Sequence, residues 1–236
     1  MPALIELLLD IPAHLDIYPA RLHGAACALL EQPDSDHTAQ IKHFSTTPLV
    51  GTPHGSHWRL GWLPDTPPPT LPTTITFGGT DCTILDHHHT HHTYLQLATT
   101  PAPVRAVEFD ITSPMYFSRN GRDHPLPDPV LILRNLITRW NHHTPSTTHI
   151  PDDHARDLTG HIHLTDFDGH TVRARTTYTK HQTGFLGTLT LALPAKAPTH
   201  THHTLATLTT YATITGIGAQ TTHGYGTCRI TRTTPL

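Results

Sequence analysis

The chain has 236 residues and a mass of 26.0 kDa, which leaves room for one large domain or two of about 100–120 residues each. Hydrophobic residues make up 36% and charged residues only 14%; the missing polarity sits in 24 His, 22 Pro and roughly forty Thr spread over the whole length, so a single histidine is a weak marker of function. The formal charge of −3 shows no basic excess of the kind that advertises nucleic acid, yet partial protonation of so many histidines keeps an RNA partner open.

No run approaches the ~18–20 apolar residues of a membrane span. The apolar stretch Ala3–Leu9 is short, contains Glu6 and has no basic residues before it, unlike a secretory signal. Cys27, Cys82 and Cys228 are odd in number and far apart, which argues against a disulfide framework. The expectation is a soluble cytoplasmic protein.

Along the chain, Ala3–Leu9 is stopped by Asp10 and Pro12 at a length that favours a buried strand. A helix is predicted from Pro19 to Glu31, with proline in the first turn and Leu22, Ala25, Ala26, Leu29 and Leu30 on one face. Ile41–Val50 and His57–Leu63 read as strands around a turn at Thr52–Ser56. Asp65–Pro72 is too rich in proline for a helix and serves as a rigid connector. Thr74–Leu85 is β-rich, with a turn or bulge at Gly78-Gly79.

The tract His87–His92 and the linker Ala98–Pro103 follow, the latter the best place for a boundary between domains at 1–97 and 104–236. Val104–Ile111 alternates as a strand does. Pro129–Asn141 is a helix with Val130, Leu133, Leu136, Ile137 and Trp140 on one stripe, and a polar stretch runs from His142 to Asp157. Strands are predicted at His161–Phe167, Val172–Tyr178 and Gly184–Leu193, a helix over Leu205–Ile214, and a last strand at Tyr225–Ile230. The order of elements recurs, which suggests two related α+β halves.

The strongest local signal is Gly216-Ile217-Gly218-Ala219-Gln220-Thr221-Thr222-His223-Gly224-Tyr225-Gly226, two Gly-x-Gly pairs around five small or polar residues. Glycines allow positive φ and close approach, so the segment reads as an anion-friendly loop or a tightly packed one. It matches neither the dinucleotide fingerprint nor a Walker loop.

This loop resembles the G-h-G-x5-G-h-G loop of RAMP proteins (h is hydrophobic), the RNA-binding family of CRISPR systems. Upstream, Phe109–Asn141 is similar to the middle block of the CRISPR repeat-processing endoribonucleases, the sixth Cas family. The likeness lies in Ser113-Pro114, Phe117, Arg119, Gly121-Arg122, Pro127-Asp128-Pro129 and Arg139-Trp140-Asn141. Gly184-Phe185-Leu186-Gly187 resembles the family's G-F-x-G strand, and Leu22-His23-Gly24 and Ile41–Leu49 look like its first helix and following strand. Departures are Cys27 where some members carry a phenol or second histidine, Ala219-Gln220 where a basic residue often stands, and the Pro-rich connector in place of a second helix.

The resemblance implies two tandem ferredoxin-like (RRM-like, β-α-β-β-α-β) domains. It implies a metal-independent endoribonuclease, without cofactor, that cuts precursor CRISPR RNA within its repeats. The ribose 2′-OH attacks the neighbouring phosphorus and leaves a 2′,3′-cyclic phosphate and a 5′-OH, so the protein must align the groups, move two protons and stabilise charge. On this chain the family's catalytic positions fall on His37, as general acid or base, and Lys42, as positive charge, with His23 and then His43 as alternatives.

RNA binding is expected at Gly216, Gly218, His223, Gly224 and Gly226 of the loop and at Arg119 and Arg122. Arg173 and Arg175, alternating on a strand, are expected to join them. Tyr225 or Phe117 could stack on a base, though each is more often core. His87–His92 reads as a tract with adventitious metal affinity. Expected partners are precursor and mature CRISPR RNA and other CRISPR effector subunits, with the chain a monomer or homodimer. Two rival readings are a non-catalytic RAMP subunit that holds guide RNA and a His-rich metal-binding protein.

Overall fold

The computed structural model describes residues 1–12, 14–31, 41–119 and 121–236. Its architecture is mixed α+β, built on two antiparallel sheets with helices packed on them.

Strand β1 (Ala3–Asp10) alternates as a half-buried strand must, with Ala3, Ile5, Leu7 and Leu9 turned into the core. It pairs with β4 (Gly55–Trp62) on one side and β6 (Thr80–His91) on the other. Helix α1 (Pro19–Leu30) opens on proline and lays the predicted stripe, Leu22, Ala25, Ala26, Leu29 and Leu30, against the same core as Phe44, Trp58 and Phe77. The predicted strand over Ile41–Val50 is two short ones, β2 (Phe44–Thr46) and β3 (Val50–Thr52), both on β4. Pro48 lies in the gap and has no N–H to give a ladder. Strand β5 (Thr74–Phe77) meets β6 across Gly78-Gly79, both at positive φ (59° and 91°), and the sheet order is β2-β4-β1-β6-β5.

The second sheet has the order β10-β11-β7-β12, from β7 (Val104–Met115), β10 (His163–Arg175), β11 (His181–Ala192) and β12 (Cys228–Pro235). Helix α3 (Pro129–His143) starts where Asp128 accepts from the amides of Val130 (2.8 Å) and Leu131 (3.0 Å) with Pro129 in the first position. Helix α5 (Thr199–Thr215) holds many threonines because their hydroxyls bond carbonyls one turn back, as Thr209 does to Leu205 at 2.7 Å.

Several sequence expectations need correction. The histidine tract is not set apart from the strands: His87 to His91 form the second half of β6. Helix α2 (Tyr94–Thr99), fixed by a capping box between Thr93 and Gln96, follows it. The polar stretch after α3 contains helix α4 (Asp152–His161), and the strands expected at His161–Phe167 and Val172–Tyr178 are the single strand β10, which runs through Gly169. A small hairpin, β8 (Phe117–Arg119) and β9 (Arg122–His124), presents the Arg119–Arg122 pair. Phe117 and Tyr225 are both buried, so neither offers a face to a base.

The two sheets are joined through α5. The Ser45 hydroxyl donates to the Ile214 carbonyl at 2.5 Å, and Tyr94 donates to the Leu63 carbonyl at 2.6 Å while packing, with Leu97, in the core beneath the second sheet. The chain leaving α5 is thereby laid against α1 and β2 of the first half. Among the described residues no helix is long and apolar enough to cross a membrane.

Candidate active site

The glycine-rich loop follows directly from the end of α5. Gly216 at φ 71° ends the helix, and Gly218, Gly224 and Gly226 also take positive φ. The loop is stitched from within: Ile217 donates to the Gly226 carbonyl (2.9 Å), Gly226 to Pro114 (3.0 Å) and Ala219 to Tyr116 (2.8 Å). The Gly218 amide is taken by the side chain of Asn135 on α3 at 3.1 Å. These amides are therefore spent on the fold. The short 3-10 turn at Thr221–His223 is the part of the loop whose first amides have no helical acceptor.

Under the turn lies Arg139, on the same face of α3 as Asn135 one turn earlier. Its guanidinium is buried and donates to the Thr215 carbonyl (2.8 Å) and the Thr221 hydroxyl (2.5 Å). Burial pushes its pKa below the ordinary arginine value, and among the described residues no carboxylate pairs with it. Sequence reasoning read Arg139 as a structural residue of the Trp140 helix and did not single out Asn135; their (i, i+4) spacing was visible, but their partners lie 76 and 83 residues away.

His23, on α1, meets the loop from the other side. Its Nδ1 lies 3.1 Å from the Thr222 carbonyl, and its ring stacks on His223 with centroids 4.0 Å apart and planes 9° off parallel. A bond from Nδ1–H to that carbonyl fixes the tautomer and leaves Nε2 as the basic nitrogen, 3.5 Å from the Cys27 sulfur. Burial holds His23 below the usual histidine range and, with His23 opposing charge beside it, pushes His223 down to about 4; burial also drives the Cys27 thiol up to about 11. At neutral pH the stack is uncharged and Cys27 is a thiol.

Lys42 stands two residues before β2, and its ammonium pairs with the Glu31 carboxylate at 2.7 Å, both side chains largely shielded from water. One cleft of about 510 Å³ gathers His23, Lys42, Arg139 and the loop from Gly218 to His223. It continues along α3, past Ser118, Asn135 and Ala219, into a second hollow of about 610 Å³ that Arg119 and Arg134 also line.

His37 lies outside the described residues. Arg122 and Arg173 are exposed and outside the cleft. Arg175 is held by Asp16 at 2.5 Å and covers the Tyr18 ring, which ties β10 to the approach to α1. His43 is turned away from the cleft toward His142 and His143.

The His223 environment sets a pH dependence of stability. Its folded pKa is near 4 and the unfolded value is about 6.5, so between these values the unfolded chain binds more protons. The stabilisation is complete above pH ~6.5 and is lost as pH falls to about 4, amounting to about 3 kcal/mol at most for a side chain that is partly solvated. Urea unfolding at pH 7.5 and 4.5 should show this loss, and His223→Phe, which keeps a stacked ring, should remove the share that His223 contributes.

Similarity to known proteins was found in two comparisons. The family described as CRISPR-associated endoribonuclease Cas6 matches residues 109–228, half of the chain. Among solved structures the fold is shared with the product complex of Cas6 (TTHB231) from Thermus thermophilus, at TM-score 0.81 and 23% identity over 98% of this chain and 99% of that one. The product complex of Cas6 (TTHA0078) gives 0.80 and 23% over the same shares, and an H37A mutant of TTHA0078 gives 0.77 and 23%, again over 98% and 99%. No curated protein sequence matches. With half its length matched to that family and its fold shared from end to end, the chain belongs to the CRISPR-associated endoribonuclease Cas6 family.

Proposed function

We propose that this protein cuts precursor CRISPR RNA within its repeats, without a metal in the reaction, to leave a 2′,3′-cyclic phosphate and a 5′-OH. The observation that carries the reading is the convergence, in one cleft, of an uncharged histidine stack, the Lys42–Glu31 pair and the buried Arg139 charge under the glycine loop. The length of the groove along α3 suits a strand better than a small molecule. TTHB231 and TTHA0078, both solved as product complexes, support RNA as the partner.

The 2′-OH is the nucleophile, so the protein has to align it, remove its proton and protonate the leaving 5′ oxygen. His37 is the group we assign to proton transfer, and an H37A mutant among the structures of TTHA0078, in that protein's own numbering, is in keeping with a histidine in this task. His23 lines the cleft with a basic Nε2. Lys42, with its charge shared by Glu31, orients more than it neutralises; Arg139 supplies the cleft floor with positive charge. Gly216, Gly218, His223, Gly224 and Gly226 shape the wall against which the RNA backbone lies. Arg119, Arg122, Arg173 and Arg175 guide the flanking strand by phosphate contact.

The chain is read as two tandem ferredoxin-like units, 1–97 and 104–236. In support, β10-β11-β7-β12 and β2-β4-β1-β6 are the same strand order for β-α-β-β-α-β chains, with α3 and α5 as the crossovers of the second unit. In the first unit the second crossover is the connector and β5. The setting is cytoplasmic, as monomer or homodimer, with other CRISPR effector subunits as further partners.

The test is incubation of the cognate repeat RNA with the protein in EDTA, with analysis of product ends and parallel binding measurements for His37→Ala, His23→Ala and Lys42→Ala. Wild-type cleavage to a cyclic phosphate, lost in His37→Ala while binding persists, is the expected result. Tight binding without a cut in wild type would instead make this a guide-holding RAMP subunit.

A further inference from the structure

A second cluster lies behind the cleft, where the first half of the chain meets the end of α3. His142 and His143 are the last two residues of that helix, and His43 is the residue before β2. One ring nitrogen of each comes within 4.8 Å of the others. The ring centroids are 4.7 Å apart for His142 and His143 and 5.4 Å for His43 and His143. We propose that His43, His142 and His143 bind one transition-metal dication of the zinc type, which staples β2 to the C-terminus of α3. The proposal stands whether or not the chain cuts RNA.

Two features point to a metal. His143 is buried and, among the described residues, its Nε2 has no hydrogen-bond partner, a costly state for a polar nitrogen unless something occupies its lone pair. Finally, His142 and His143 sit in the last turn of α3, where the helix dipole favours a cation.

The geometry is within reach. Ligand nitrogens around a tetrahedral zinc at ~2.05 Å stand about 3.3 Å apart. Closing from 4.8 Å requires movement of about 1.5 Å, and His43 and His142 are both exposed and free to turn toward the fixed His143. Three imidazoles, with no carboxylate or thiolate in the cluster among the described residues, suit Zn²⁺, Ni²⁺ or Co²⁺ over Mg²⁺ or Ca²⁺, and a fourth position stays open to water. The bound ion would also brace the Lys42 backbone where it enters the cleft.

The histidines of β6 are a different case. His87, His89 and His91 stand in a row with centroids 5.5 and 5.7 Å apart along a solvent-facing strand, and their nitrogens do not converge on one point. They would still bind metal loosely and must be silenced in any test.

The full chain with His87, His88, His89, His91 and His92 changed to Asn is therefore stripped with EDTA, dialysed and titrated with Zn²⁺ by calorimetry and with Co²⁺ by absorption. One equivalent should bind with a tetrahedral Co²⁺ spectrum and raise the Tm. His43→Asn and His142→Asn, exposed positions that leave folding alone, should each weaken binding by tenfold or more, and together should abolish the Tm shift. Absence of a one-equivalent event in the silenced chain, or binding unchanged in both variants, would overturn the site.

Discussion

Gly226→Ala is expected to destabilise the protein by about 3–5 kcal/mol and to remove cleavage, whereas Gly121→Ala should cost only about 1 kcal/mol. Both glycines take positive φ, 65° and 71°, where an L side chain pays about 1–2 kcal/mol. They differ in what a Cβ would meet. At Gly121 nothing lies within 4 Å, while at Gly226 the Cβ would run into the backbone of Ile217, including its carbonyl oxygen. Ile217 is fully buried and donates to the Gly226 carbonyl at 2.9 Å, and Gly226 donates to Pro114 at 3.0 Å, so neither side of the clash can yield without breaking a bond that closes the loop. Subtracting the Gly121 value in chemical denaturation isolates the clash from the backbone strain. Equal losses at the two positions would mean that the loop is not tightly closed.

The same loop illustrates what a sequence discloses. Its positive-φ glycines were legible, because nothing but glycine repeats at such spacing without reason. What the amides do was not, since Gly218 is satisfied by Asn135 and Gly226 by Pro114, partners that only the fold brings near. Helix α3 could be read from Asp128-Pro129 and a continuous apolar stripe. Helix α4 could not, because Leu158 is its one buried side chain and its other positions read as a polar loop. The histidine half of β6 was hidden for a similar reason: most of it faces solvent, so no alternation marks it as strand. Gly169 falls in the gap between the strands expected at His161–Phe167 and Val172–Tyr178, yet it lies opposite Gly187 in the ladder, where a side chain would strike the Leu186 carbonyl and the Phe185 ring. In the cleft, His23 and Lys42 were named from the family likeness, but their neighbours Glu31, Thr222 and His223 were not tied to them, because each contact crosses between elements.

Arg139→Met should cost about 2–4 kcal/mol and reduce cleavage far more than the remaining folded fraction explains. Two effects compete. Removing the guanidinium relieves a buried charge that burial already opposes, which favours the variant. Against that, the Thr215 carbonyl and the Thr221 hydroxyl lose charge-assisted donors at 2.8 and 2.5 Å in a buried place, at about 1–3 kcal/mol each. Methionine keeps most of the packing volume but can donate to neither, so the second effect wins. Because Thr221 opens the turn that carries Thr222 and His223, its release unfastens the His23 stack as well as the loop. Arg139→Lys separates charge from geometry: an ammonium keeps the charge yet cannot bridge both acceptors with a planar fork. If Arg139 acts on the RNA through its charge, binding by the methionine variant should lose about one unit of salt slope while the lysine variant retains it. If it acts by holding Thr221, both variants should keep the slope and lose the cut. Measuring affinity between low and moderate salt alongside cleavage distinguishes the two, and preserved cleavage in Arg139→Met would remove Arg139 from the site.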